Sequence, residues 1–240
     1  MERRRMIQLL AAAATSLWAG DYFDEASLLQ AQDLPRPELQ PLFPLDLVLL
    51  PHTNLPLHIF EERYKEMIQD CLENHWEFGI LAVEDQTVKN IGCTASVSEV
   101  VTRFGDGRLN IMVRGGQRFE ITELNENKSY LRGKVQFLDD DAAEPVAEER
   151  RRDAVRLYER LIETAETPAR KFQDSPAYTD TQLSYRLMAA VPADLVWKQT
   201  LLELRSEPER LDRVIAYFEK VLEYLEKNPG PSRAPREVAG

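Results

Sequence analysis

Between Leu42 and Tyr64 the sequence reads LFPLDLVLLPHTNLPLHIFEERY, an apolar stretch cut by Pro44, Pro51 and Pro56 that runs straight into charged residues. Leu45, Leu47, Leu49 and Leu50 form a run too short to span a bilayer and rich enough for a buried strand. Pro51 ends that run, and His52-Thr53-Asn54 reads as a turn. Leu55, Leu57 and Ile59 then alternate with Pro56, His58 and Phe60 as a second extended segment. Proline cannot donate to a hydrogen-bond ladder, so these strands are expected at edges or with interruptions. The layout is the entrance to a small β domain with binding surfaces, and it lacks the arrangement of an active site.

Downstream of Tyr64, helix and strand signals alternate. Glu61 and Glu62 open a helix whose apolar face carries Tyr64, Met67, Ile68, Cys71 and Leu72, and Asn74-His75 stops it. Trp76–Val83 reads as a buried strand, residues 84–90 as a polar loop and Ile91–Phe104 as a long strand. Gly105-Asp106-Gly107 is a hairpin turn and Gly115-Gly116 reads as another. Strands are expected on either side of the second turn and over Ser129–Leu138. This is a run of antiparallel neighbours with one early helix, a curved sheet or partly closed barrel.

Asp139–Glu149 is a shift in composition, with Asp139, Asp140, Asp141, Glu144, Glu148 and Glu149 around Pro145. It reads as a solvated boundary, with a metal-binding cluster as the alternative, although the calcium-loop pattern is absent. Beyond it the period becomes helical. Ala154, Tyr158, Leu161, Ile162 and Ala165 mark one helix, and Thr167–Thr179 is a loop. Leu183–Met188 and Leu195–Leu204 mark two more, separated at Val191-Pro192. Ser206-Glu207-Pro208-Glu209 is a helix-starting box before a face of Leu211, Val214, Ile215, Phe218, Val221, Leu222 and Leu225. The expected architecture is α+β, an antiparallel β pseudo-barrel with one early helix followed by a C-terminal helical bundle. The expected divisions are an extension over 1–40, a β domain over 41–140, a helical subdomain over 141–227 and a disordered tail over 228–240.

In the extension, a charged start precedes MIQLLAAAATSLWAG, which fits either a soluble helix or an export signal. Residues 32–41 read as a proline-bearing linker. The cytoplasm is the expected location, export through a weak signal being the alternative. The two cysteines, Cys71 and Cys93, have no metal-site spacing and read as small core residues. The net charge of −11 opposes binding to phosphate backbones, so no nucleic acid is expected as a partner, and no membrane either.

Motifs that carry chemistry are missing. There is no GxxxxGK[ST], no GxGxxG after a strand, no GxSxG and no HExxH. His52, His58 and His75 form no helical ligand pair. No catalytic residue, metal site or cofactor is expected. Arg103, Arg114 and Arg118 are spaced through the middle strands, where they can hold carboxylates and peptide carbonyls or pair with Glu120 or Glu123.

Three blocks carry a resemblance. FPLDLVLLPHTNLPLHIFEERYKEMI resembles the opening of the Lon protease N-terminal, or substrate-binding, domain family. Gly92–Ile121 is similar to that family's next block, ending in Gly115, Arg118, Phe119 and Ile121, and Leu183–Glu203 is similar to its helical tail. One position departs, for His52 stands where the family usually has glycine, and histidine tolerates positive φ better than most residues.

The resemblance implies a PUA-like pseudo-barrel with a helical subdomain. At 240 residues it implies the stand-alone bacterial form, without the ATPase and peptidase domains of full-length Lon. By analogy the chain is expected to be no enzyme. It is expected to bind unfolded or extended polypeptide, or to serve as an adaptor to a protease or chaperone in protein quality control. An RNA-binding PUA-like module and a small-ligand binder are the alternatives. The candidate binding surface is Leu57, Phe60, Arg63, Arg118 and Phe119, on an apolar proline-bearing edge able to clasp an extended chain.

Overall fold

Among residues 36–143, 145–165 and 173–228, which this computed structural model describes, period-two patterns become seven strands and 3.6-residue patterns become five helices. In chain order these are β1 (Gln40–Leu45), β2 (Asn54–Ile59), α1 (Glu62–Asn74), β3 (Phe78–Glu84), β4 (Thr87–Val88), β5 (Ile91–Arg103), β6 (Leu109–Asn125) and β7 (Arg132–Leu138). The helices α2 (Glu148–Ala165), α3 (Leu183–Ala189), α4 (Leu195–Glu203) and α5 (Glu207–Lys227) complete the order. The α+β class is as expected. The N-terminal helix-or-signal stretch, the first part of the Thr167–Thr179 loop and the tail beyond Asn228 lie outside the described residues.

The sheet closes on itself. β1 meets β7 at Gln40 and Pro41, then leaves it to run beside β3 from Leu42 to Leu45. β7, β6, β5 and β3 pair antiparallel in that order, which completes a ring of five strands and removes most free edges. The β1–β3 contact is parallel, a departure from the all-antiparallel expectation. β6, 17 residues long, serves two sub-sheets. Leu109–Arg114 lies between β2 and β5, Arg118–Glu120 lies between β5 and β7, and the end of the strand pairs with β7 alone.

The structure corrects two expectations from the sequence. The first strand is Gln40–Leu45, upstream of the apolar run, so Gln40 and Pro41 belong to the sheet and not to a linker. Leu49 and Leu50 are buried in an irregular turn instead. Thr53 Oγ1 donates to the Leu50 carbonyl at 2.7 Å. The turn is tied to the middle of β6, where His52 N–H donates to Gly115 O and Gly115 N–H donates to Thr53 O, each at 2.9 Å. His52 has φ 60°, the left-handed conformation that glycine usually fills.

Gly115-Gly116 is no turn, for both residues lie within β6. Glycine is required at 115 by close approach, because a Cβ there would sit 2.2 Å from Leu50 O. Gly115→Ala is therefore expected to lower stability by about 2–3 kcal/mol, seen as a lower urea midpoint. Gly105→Ala is the control: an added Cβ there meets nothing within 4 Å, and the change should stay within about 0.5 kcal/mol.

One buried cluster runs from Phe43 in β1 through α1 and the strands to Leu222 in α5. Cys71 and Cys93 are both free and buried in it, and burial pushes the Cys71 thiol up to about 12. A smaller cluster of Leu42, Leu81 and Phe119 fills the other side of the ring. In the helical part, α5 packs against α2 and α3, with the Tyr158 and Phe218 rings 6.3 Å apart. Ser206 caps α5, accepting from Glu209 N–H, and Asp194 caps α4, accepting from Trp197 N–H at 2.7 Å.

Candidate functional site

The five residues singled out from sequence divide between surface and interior. Phe60 is 46% exposed, and Arg63 is exposed beside it at the start of α1. Leu57, Arg118 and Phe119 are buried and form no surface. Leu57 points inward because strand residues alternate, and it packs with Ile59, Leu109, Ile111 and Val113 beneath β2 and β6. The Phe119 ring fills the space left by Gly79, where a Cβ would come within 2.4 Å of it.

What surrounds Phe60 is a patch that the sequence did not reveal as one. The β5–β6 hairpin carries Phe104, 37% exposed, and Val101 is exposed nearby in β5. His58 lies between the two rings, 5.9 Å from Phe60 and 6.1 Å from Phe104. Its Nδ1 is 2.7 Å from Asn110 Oδ1 across the β2–β6 pair, which fixes the imidazole. The outer side of this wing, formed by β2, the first part of β6 and β5, thus holds Phe60 and Phe104 in water, while its inner side supplies the core.

Beside the rings runs a groove of about 750 Å³ between α1 and the hairpin, lined among others by Arg63, Lys65, Gln69, Arg103, Phe104 and Leu109. Its shape is held by specific bonds. Lys65 Nζ donates to the Asp106 carbonyl at 3.0 Å and to Glu62 at 2.8 Å, tying the hairpin tip to the helix. Gly107, at φ 82°, makes the tip possible. Arg108 pairs with Asp106 at 2.7 Å and lies 5.2 Å over the Phe104 ring. Arg63 pairs with Glu61 at 2.7 Å and lies 4.6 Å over Tyr64. Arg103 makes no ion pair with a described carboxylate. Apolar rings beside exposed cations suit contact with a polypeptide and offer no nucleophile–base pair.

Arg118 has a different task. It is 2% exposed and donates to the carbonyls of Leu202 and Leu204, at 3.0 and 2.7 Å, and to Asp140 at 2.6 Å. Arg210, fully buried in α5, also donates to both oxygens of Asp140, and to Glu207 and Leu204 O. Burial alone would raise the Asp140 carboxyl, but bonds from Arg210 and Gln182 and the charges of Arg210 and Arg118 hold it below its ordinary value. The acidic run after β7 therefore supplies a clamp between sheet and helices. Asp141 pairs with Arg205 and Glu148 with Arg152. Among the described residues no group of His, Cys, Asp and Glu is placed to hold a metal ion.

The clamp extends to the turn at His52. A carboxylate only accepts, so Gln182 presents Nε2 to Asp140 at 3.0 Å and Oε1 to His52, whose Nε2–H donates at 3.1 Å. Burial lowers the His52 pKa below 6.5, and Arg186 and Arg114 add to that against the opposing bond from Gln182. An unfolded histidine takes its proton first as pH falls below about 6.5, so its titration costs nothing above that pH and opposes folding below it. His52→Gly, which suits the positive φ, is expected to flatten the fall in urea midpoint between pH 7 and 5 without lowering the unfolding free energy at pH 7 by more than about 1 kcal/mol.

The sequence profile of the ATP-dependent protease La (LON) substrate-binding domain family matches residues 40–220, the stretch that builds the ring, the wing and the clamp. The chain belongs to this LON substrate-binding domain family. Among relatives, the Lon protease of Azospirillum brasilense is 27% identical over 203 residues, 78% of this chain and 24% of that protein. The Lon protease of Dictyoglomus thermophilum is 27% identical over 223 residues, 85% of this chain and 27% of that protein. The chain thus spans about a quarter of the length of these Lon proteases. Two solved structures share the LON-domain fold. A Lon N-terminal domain protein from Xanthomonas campestris has a TM-score of 0.58 at 24% identity, and covers 75% of this chain and 98% of its own. The N-terminal domain of a Mycobacterium avium complex Lon protease has a TM-score of 0.59 at 18% identity, with the same coverage. No helix among the described residues is long and apolar enough to cross a membrane.

Proposed function

We propose that this LON-domain chain binds unfolded or extended polypeptide on the wing formed by β2, β5 and β6, without catalysing a reaction itself, and acts as a substrate receptor or adaptor in protein quality control. The observation that carries the reading is the pair of exposed rings, Phe60 and Phe104, on either side of half-buried His58, in a family named for substrate binding. A soluble surface gains nothing from holding large rings in water, whereas a partner's apolar side chains gain about 25 cal/mol per Å² on covering them. Shallow, rim-cationic surfaces suit transient capture of many sequences. A partner protease or chaperone and a PUA-like, cytoplasmic setting belong to the same reading.

The test compares a reduced, carboxymethylated protein with its native form as fluorescent probes in anisotropy titrations. Binding of the unfolded form alone supports receptor action. Failure to bind either, or equal binding of both, rejects it. Binding of RNA at physiological salt, against the net charge of −11, turns the assignment toward a nucleic-acid module instead.

A further inference from the structure

We propose that the captured polypeptide joins the outer edge of β2 as an added strand, and that Gln173 is a built-in competitor for the first pairing position. This rests on the polypeptide-binding reading above and adds to it a mode of recognition and a regulator.

Among the described strands β2 pairs on one side only, with β6. Asn54 shows which groups face the other way. Its N–H donates to Gln173 Oε1 at 2.9 Å and its carbonyl accepts from Gln173 Nε2 at 2.6 Å. Backbone groups alternate sides along an antiparallel strand, so Leu55, Leu57 and Ile59 turn toward β6, and Pro56 and His58 share the outward side with Asn54. Pro56, with no N–H, is tolerated there for that reason. Among the described residues no hydrogen bond engages the Pro56 carbonyl or the His58 N–H and carbonyl on that side.

The Gln173 side chain is a primary amide, whose NH2 donates and whose oxygen accepts at a spacing like that of a peptide group. It makes at Asn54 the pair of bonds that a residue of a neighbouring strand makes. Its loop is pinned beside the edge by Asp174, 3.1 Å from Arg114, and by Gln182 on His52. Next along the edge come His58 and then Phe60, so a strand added here lays alternate side chains against the rings. The occupant is an extended polypeptide with free backbone N–H groups and apolar side chains. Pro56 keeps the pairing short, which limits indefinite edge-to-edge association and makes capture reversible.

The probe is a fluorescent peptide of alternating valine and threonine, with a second of the same sequence N-methylated at every residue. The first is expected to bind, and the methylated one to bind at least about tenfold more weakly, since it cannot donate to the edge. Hydrogen exchange is expected to show the His58 amide open in the free chain and protected on saturation. Gln173→Ala is expected to tighten binding by roughly threefold to tenfold, by removing the competitor. Equal binding of the methylated peptide, or a His58 amide already protected in the free chain, overturns the edge site. Unchanged or weaker binding by Gln173→Ala overturns the competitor. A peptide that binds and leaves the His58 amide unchanged removes this inference alone, whereas failure of every unfolded polypeptide to bind removes the reading beneath it.

Discussion

Asp140→Ala is expected to lower the unfolding free energy by about 3–5 kcal/mol, the loss typical of breaking a buried ion pair by removing one partner. Asp140 takes bonds from Arg118 and Arg210, two guanidinium groups almost without solvent contact. Arg118 would keep its two carbonyls and Arg210 its Glu207, but two buried cations would then face one carboxylate. Such a change is a large part of the about 5–15 kcal/mol that a domain possesses. An exposed pair gives the contrast. Arg213→Ala, which removes the partner of Glu209 on the surface of α5, is expected to cost under about 1 kcal/mol. The wild type adds a pH signature. The folded carboxyl of Asp140 titrates below its ordinary value of 3.8, so its contribution is present above that pH and is lost as pH falls through the folded value. Urea midpoints between pH 7 and 3 should therefore fall more steeply for wild type than for Asp140→Ala.

The double variant Phe60→Ser, Phe104→Ser is expected to weaken binding of a reduced, carboxymethylated polypeptide by about tenfold to a hundredfold while leaving the unfolding free energy from urea titration within about 1 kcal/mol of wild type. Both rings are substantially exposed, so they contribute little to the core. In a complex they would be covered, and truncation of central aromatic contacts commonly costs about 2 kcal/mol or more. The single variant Phe119→Ser serves as the contrast. It empties the centre of a buried cluster and is expected to reduce binding only by unfolding the chain. Arg118→Ala belongs to the same class, although the sequence placed it among the binding candidates.

Local patterns are readable wherever a single backbone segment settles the outcome. The face of α1 comes from Tyr64, Met67, Ile68 and Cys71, all buried as the spacing requires. The turn at Gly105–Gly107 comes from glycine chemistry, and the candidate ring Phe60 from its place after the last alternating residue of β2. What escapes depends on residues far apart in the chain. Gly115-Gly116 looks like a turn until the Leu50 carbonyl is known to press on it. Leu49 and Leu50 look like a strand because apolar runs report burial without reporting conformation. Arg118 looks like a ligand because nothing nearby in sequence announces Asp140 and the helix-end carbonyls. One signal was available: Arg210 lies four residues before Val214 on the inward stripe of α5, and a charge in such a stripe demands a buried partner. Phe104 and His58 are each readable, but only the β2–β6–β5 pairing places both beside Phe60.

Photo-crosslinking from the wing tests the central claim most directly. Benzoylphenylalanine is placed at Phe60 in one sample and, as a control, at Tyr224, an exposed aromatic on α5. Each is irradiated with the unfolded probe and with its native form. Capture on the wing predicts a crosslink from position 60 to the unfolded probe, none to the native form, and only background from position 224. Equal crosslinking from both positions, or from 224 alone, would contradict it.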